Sequence, residues 1–211
     1  MIYDLTQLAY DGMSLFPETP PPSFTPIATV EQEGWHETML HLTSHTGTHM
    51  DAPAHMIAGG ATLDTMDVSR FMGRALVLDA SSLRGAAVTR ELLEAHRAQL
   101  RRADFLLLRT GFGSLWGTPA YLGDFAVPTA EAMAYLAELH VRGVGIDALS
   151  LDSLDAAVYT NHLTGLGAGM IFIENLRLDA LTDGTVVQFQ ALPLHYRHAD
   201  GAPARAVAWD E

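Results

Sequence analysis

Short apolar runs that stop at polar residues limit what this chain can fold into. "RALVLDAS" (74–81) and "ADFLLLRT" (103–110) are of this kind, and they read as buried strands. "VGIDALSLD" (144–152) reads as a strand running into a loop, and "GMIFIENL" (169–176) and "TVVQFQALPL" (185–194) as two more. Helical spacing fills the gaps. "TRELLEAHRAQL" (89–100) predicts a helix with Thr89 as N-cap. "PTAEAMAYLAELHVRG" (128–143) predicts another, with Pro128 near its start, Thr129 as its cap and Gly143 after its end. Ahead of these, "TPIATVEQEG" and "WHETMLHLTSH" read as strands, the second alternating from Trp35 onward. Strands first, then alternating helices and strands, predict an α/β (mixed-sheet α+β) fold. The 211 residues suit a single domain spanning 1–211.

Composition removes several functions. No apolar run approaches the roughly 20 residues that cross a bilayer. The start, "MIYDLTQLAYDG", lacks the basic-then-apolar pattern of a signal peptide, so the expected compartment is the cytoplasm. A formal charge of −13 repels nucleic acid and anionic membranes. With no cysteine there is no disulfide, no thiolate ligand and no thiol nucleophile. Any metal must be held by His, Asp or Glu. "PETPPPSFTP" (17–26), half proline, predicts an extended surface loop that walls a pocket or clasps a second subunit.

"HTGTHMDAPAH" (45–55) gathers three histidines and an aspartate. His45 and His49 are four apart, as on one helix face. The Thr-Gly-Thr between them and Pro53, which disfavours helical backbone at Ala52, predict a bent loop at a strand end instead. Gly47 lets the chain turn. Two imidazoles and the Asp51 carboxylate make an incomplete donor set for Zn²⁺, or for Mn²⁺ if further oxygens join. Incompleteness leaves room for water and substrate. His55, four residues after Asp51, is a candidate general acid or base. The bland alternative is ordinary loop histidines in a chain that has ten. Glu174 is a charge inside an apolar strand, costly unless paired or metal-bound. His162 could simply start a helix. Asp147 and Asp152 either cap a loop or support the site from behind. Arg109 and Thr110 end a strand and could face a substrate carboxylate.

The stretch resembles the H-x-G-T-H-x-D-x-P-x-H signature of the cyclase-like metal-dependent hydrolases, a family that includes bacterial kynurenine formamidase and isatin hydrolase. His45, Gly47, Thr48, His49, Asp51, Pro53 and His55 fill every fixed position. "YDLTQ", "LLLRTGF" (106–112), "GVGIDALSLD" (143–152) and "NHLTGLGAGMIFIENL" (161–176) look like family blocks in family order. The resemblance implies a swivelling β/β/α domain, assembled as a homodimer or homotetramer. It implies metal-dependent hydrolysis of a C–N amide bond in a small aryl-formamide or cyclic amide, without an organic cofactor. Two divalent ions are implied, Zn²⁺ with Mn²⁺ as the alternative. His45, His49 and Asp51 would hold one; Asp51, His162 and Glu174 would hold the other; His55 would be the catalytic acid/base. Phe16 in "LFPETP" stands where formamidases carry a Trp, so as a substrate-binding residue it keeps an apolar face but loses the indole N–H. Glu174 argues against the isatin hydrolase branch, which the resemblance associates with a single manganese. The alternatives are a lactone or cyclic-imide hydrolase, a polyketide-type cyclase, or a non-catalytic metal- or ligand-binding protein.

Overall fold

The computed structural model describes residues 1–83 and 85–210. Ten strands and five helices occur among them. The strands are β1 (Ile2–Asp4), β2 (Ser23–Ala28), β3 (Glu37–His41), β4 (His49–Asp51), β5 (Met72–Asp79), β6 (Phe105–Arg109), β7 (Gly143–Ile146), β8 (Ile171–Glu174), β9 (Val186–Pro193) and β10 (Gly201–Trp209). The helices are α1 (Val30–Glu33), α2 (Arg90–Ala95), α3 (Arg97–Leu100), α4 (Ala130–Glu138) and α5 (Thr160–Gly167).

The main sheet runs β1-β10-β4-β8-β7-β6-β5-β9, and β9 also pairs with β10. That last pairing closes seven strands into a barrel, with β1 laid along β10. Strands β5 to β8 are parallel neighbours, and every other pairing is antiparallel. The mixed α/β class read from the sequence is the observed one.

Each central strand is buried on both faces, as a parallel sheet with helices on its outside requires. On β5, Leu76 and Leu78 pack outward with Leu93, Met133 and Leu136 of the helices, while Ala75 and Val77 face inward. The barrel interior holds Phe105 edge-on to Phe189 at 5.2 Å. It closes on a row of alanines from β10, Ala202, Ala204, Ala206 and Ala208. Alternation along that strand sends these four side chains to the same face.

Several elements depart from the sequence reading. Residues 30–34 are a helical turn rather than strand: the Glu33 carboxylate accepts the Thr29 N–H at 2.7 Å, and Gly34 ends the turn at φ 83°. The helix read over 89–100 starts as expected, with Thr89 Oγ1 accepting the Leu92 N–H, but breaks into α2 and α3 at His96. Helix α4 is capped by Thr129 and ends earlier than read, with His140 taking the left-handed conformation at φ 57°. Gly143 is therefore no terminator. It opens β7, where a Cβ would lie 2.6 Å from the Ile171 carbonyl oxygen. The alternation from Trp35 predicted a half-buried strand, yet the β2–β3 ribbon stands apart from the barrel and leaves Trp35, Met39 and Leu40 exposed. The proline-rich segment is loop over its first residues only, since Ser23–Pro26 belong to β2. Among the described residues, no helix is long and apolar enough to cross a membrane.

Candidate metal centre

The histidine stretch is a loop only as far as Thr48. His49–Asp51 form β4, a correction to the loop reading, and antiparallel pairing sets His49 directly opposite Glu174 of β8. Strand alternation then turns His49, Asp51 and Glu174 to one face. Helix α5 packs on that face through Phe172, whose ring meets the His162 ring edge-on at 5.2 Å. Four donors from three elements thus converge. His45 arrives from the preceding loop, where Gly47 turns the chain at φ 65°. Gly201 makes room for it: a Cβ there would sit 2.4 Å from the His45 ring.

The spacings identify what the cluster is built to hold. His49 Nε2 lies 3.3 Å from Asp51 Oδ1 and 3.5 Å from Glu174 Oε2. His162 Nε2 lies 3.6 Å from Asp51 Oδ2 and 3.3 Å from Glu174 Oε1. These are long for charge-assisted hydrogen bonds. They match the edges of a coordination tetrahedron, about 3.4 Å when each donor is about 2.1 Å from the ion. Asp51 Oδ2 is buried without a hydrogen-bond partner, which a buried carboxylate oxygen does not tolerate unless something else meets it. The sets His45–His49–Asp51 and Asp51–His162–Glu174 each bring three donor atoms within 4.8 Å of one another and share Asp51. The donor set fits a divalent metal ion.

Each imidazole is held from behind. His49 Nδ1 donates to the Gly47 carbonyl at 2.8 Å. His162 Nδ1 lies 2.7 Å from Asp152 Oδ2, and Asp152 also accepts the backbone N–H groups of Asn161 and His162. Asp152 therefore ties down the first turn of α5 and orients the ring, which is the supporting reading of it rather than the loop-capping one. His162 does start a helix, and it joins the cluster as well. His45 Nε2 lies 3.0 Å from Asp200 Oδ2, while its Nδ1 contacts Asp51 Oδ1 at 2.7 Å, a hydrogen bond rather than a ligand–ligand spacing. Buried Asn175, left-handed at φ 57°, donates to the Gly47 carbonyl and ties the loop to β8. The Thr48 hydroxyl donates to the Asn175 carbonyl and accepts the Gln7 N–H. Asp147 takes the loop-capping role, accepting the N–H groups of Thr110 and Gly111.

Electrostatics follow the contacts. Burial works against the ionised Asp51, but the rings of His162, His45 and His49 override it and hold its pKa well below the usual carboxylate range. Burial likewise opposes a charge on His162, yet Asp152, Asp51 and Glu174 push its pKa up to about 12. His45, buried but set between Asp51 and Asp200, is raised to about 9. His55 goes the other way: burial lowers its pKa, helped by the charge on His45 and His162.

His55 ends the turn Pro53–His55 and stacks on His45 with ring centroids 4.0 Å apart. It faces a cavity of about 270 Å³ also lined by Phe16, Met56, Tyr159, His162 and Glu174. Phe16 meets Tyr159 edge-on at 6.5 Å. Arg109 and Thr110 do not reach this cavity. Arg109 binds Asp79 at 2.5 Å and the Leu181 carbonyl at 2.8 Å, and Thr110 binds Asp147. Sequence reasoning missed Asp200, Asn175, Tyr159 and Met56, although Asn175 lies within the 161–176 block. Asp200 also makes a third group of donors with His45 and His55 at the rim.

Paired imidazoles and carboxylates beside an apolar cavity define the centre of a metal-dependent hydrolase. Comparison with known proteins gives the family. The family model described as "Putative cyclase" matches residues 3–153, and the chain belongs to this Cyclase family. It is 32% identical over 207 residues to the kynurenine formamidase of Bacillus cytotoxicus, covering 97% of this chain and 95% of that protein. The structure of a "predicted metal-dependent hydrolase from Bacillus stearothermophilus" is similar with TM-score 0.83 and 30% identity, covering 100% of this chain and 98% of that one. Isatin hydrolase A from Ralstonia solanacearum is similar with TM-score 0.86 and 26% identity, covering 100% and 92%.

Proposed function

We propose that this chain hydrolyses a non-peptide C–N amide bond with two divalent metal ions per chain, Zn²⁺ in preference to Mn²⁺. One site comprises His45, His49 and Asp51; the other comprises Asp51, His162 and Glu174. The observation that carries the reading is the buried, partnerless Asp51 Oδ2 inside a ring of donors spaced 3.3 to 3.6 Å apart. Kynurenine formamidase and isatin hydrolase relatives place C–N bond hydrolysis first among the chemistries open to such a centre.

Ions bound there would supply a hydrolytic nucleophile at neutral pH and polarise the scissile carbonyl. The chain's own residues do the rest. Phe16, Met56 and Tyr159 hold the substrate ring by apolar contact and exclude water from one side of it. His55, its pKa lowered by burial, is neutral at neutral pH and can accept the proton that water gives up. It then passes that proton to the departing nitrogen as the C–N bond breaks, leaving an acid and an amine. Asp152 and Asp200 keep the His162 and His45 rings in place throughout.

The test is elemental analysis of protein purified without added metal, together with hydrolysis of an aryl formamide before and after chelation. About two ions per chain and activity that returns only on adding metal are expected. Full activity after exhaustive chelation would overturn the proposal.

A further inference from the structure

We infer that the substrate is a compact, uncharged amide, and that the cavity disfavours an amide carrying an ionised amino-acid tail; this rests on the hydrolase reading above. Three observations meet here. The cavity measures about 270 Å³. That lies at or below the roughly 300 Å³ lower end of small-molecule pockets, so it suits a compact ligand such as an aromatic ring with its amide.

The second observation is charge. Among the described residues, no Lys or Arg lines the cavity. Away from the histidine cluster its walls are Leu15, Phe16, Met56, Leu149 and Tyr159, with the hydroxyls of Ser14, Thr19, Ser150 and Tyr159 for polar contact, while the Asn175 amide is engaged by Tyr121 and the Gly47 carbonyl. Arg109, the arginine inside the 106–112 block, is committed to Asp79 and to the Leu181 carbonyl.

The third observation is that the imidazoles already have anionic partners. His45 is set between Asp51 and Asp200, and His162 contacts Asp152, Asp51 and Glu174. A substrate's amino-acid tail, held away from the scissile bond and from the donor cluster, would press an ammonium and a carboxylate against these apolar walls, and the carboxylate would meet no Lys or Arg among the described residues. Burying a charge without a partner is costly, whereas a neutral ring gains from the same walls. A hydroxyl hydrogen bond from Ser14 or Thr19 does not replace a guanidinium.

A matched pair of compounds tests this. N-formylkynurenine and ortho-acetylformanilide share the scissile formamide and the aryl ketone, and differ in the amino-acid tail. Binding to the metal-loaded protein is measured by calorimetry, alongside turnover. The neutral compound is expected to bind about tenfold more tightly or better, and its kcat/KM to exceed that of N-formylkynurenine by a similar factor. Thr19→Arg should narrow or reverse the gap by supplying the missing cation. Equal or tighter binding of N-formylkynurenine overturns the inference, as does failure of the neutral compound to bind. If the neutral compound binds more tightly but neither compound is cleaved, the pocket inference stands and the formamide-hydrolase reading falls.

Discussion

The two halves of the candidate centre are built differently. The deep half, His49, Asp51, His162 and Glu174, sits on β4, β8 and the first turn of α5. Every member is buried, and their contacts are spaced for coordination. The rim half, His45, His55, Phe16 and Asp200, comes from loops and turns and is partly open to solvent. There His45 closes onto Asp51 in a 2.7 Å hydrogen bond. Rigid elements hold the donors whose geometry can vary least, while loops hold the groups proposed to meet substrate and move a proton.

Asp51 is shared by the two donor groups proposed to hold ions, so its loss should have the largest effect. Asp51→Asn keeps the shape and removes the charge. Activity should fall more than about ten-thousandfold, with metal content dropping in parallel by elemental analysis. A variant that kept both ions would erase the distinction between a bridging and an ordinary carboxylate. His55→Ala should lower kcat about hundredfold or more while both ions stay bound. Metal loss in that variant would instead place His55 among the ligands, with His45 and Asp200.

The supports behind the rings sharpen the contrast. Asp152→Asn, behind a deep histidine and also tying down the first turn of α5, should weaken metal affinity roughly a hundredfold. Asp200→Asn, behind the rim histidine and half exposed, should weaken it only about tenfold. Chelator competition measures both, and the reverse order would refute the division. Phe16→Ala should raise KM about tenfold, with kcat nearly unchanged in steady-state kinetics.

The smallest effect is on stability. In metal-free protein, His45 titrates at about 9, above the unfolded value of about 6.5. A raised folded pKa contributes stability that is fully present below about pH 6.5 and is lost as pH rises through the folded value. The Tm of chelated protein should therefore fall by a few degrees between about pH 6.5 and 9. His45→Gln should flatten the fall, and so should restored metal, which takes the proton's place.

Legibility in the sequence followed locality. His45, His49, Asp51 and His55 stood out because a single loop and a short strand carry them, and a cluster so dense calls for one chemical explanation. Glu174 was visible as a charge in an apolar strand. His162 looked like any helix start, because the contact that distinguishes it, with Asp152, crosses a loop. Asp200 gave no signal, and Asn175 passed unremarked inside the 161–176 block, since their roles exist only once β10 and β8 flank β4. The strand β4 was missed because three residues, two of them polar, show no periodicity. β10 was missed for a different reason: inside a closed barrel its inward side chains are alanines, too small to form the apolar pattern that marks a strand.

Three-residue β4 lies between β8 and the first residues of β10, both of which follow it far along the chain. Without β10, β4 would keep only its β8 edge, and His45 would lose both Asp200 and the space beside Gly201. Removing β10 would thus unseat the donors without changing any of them.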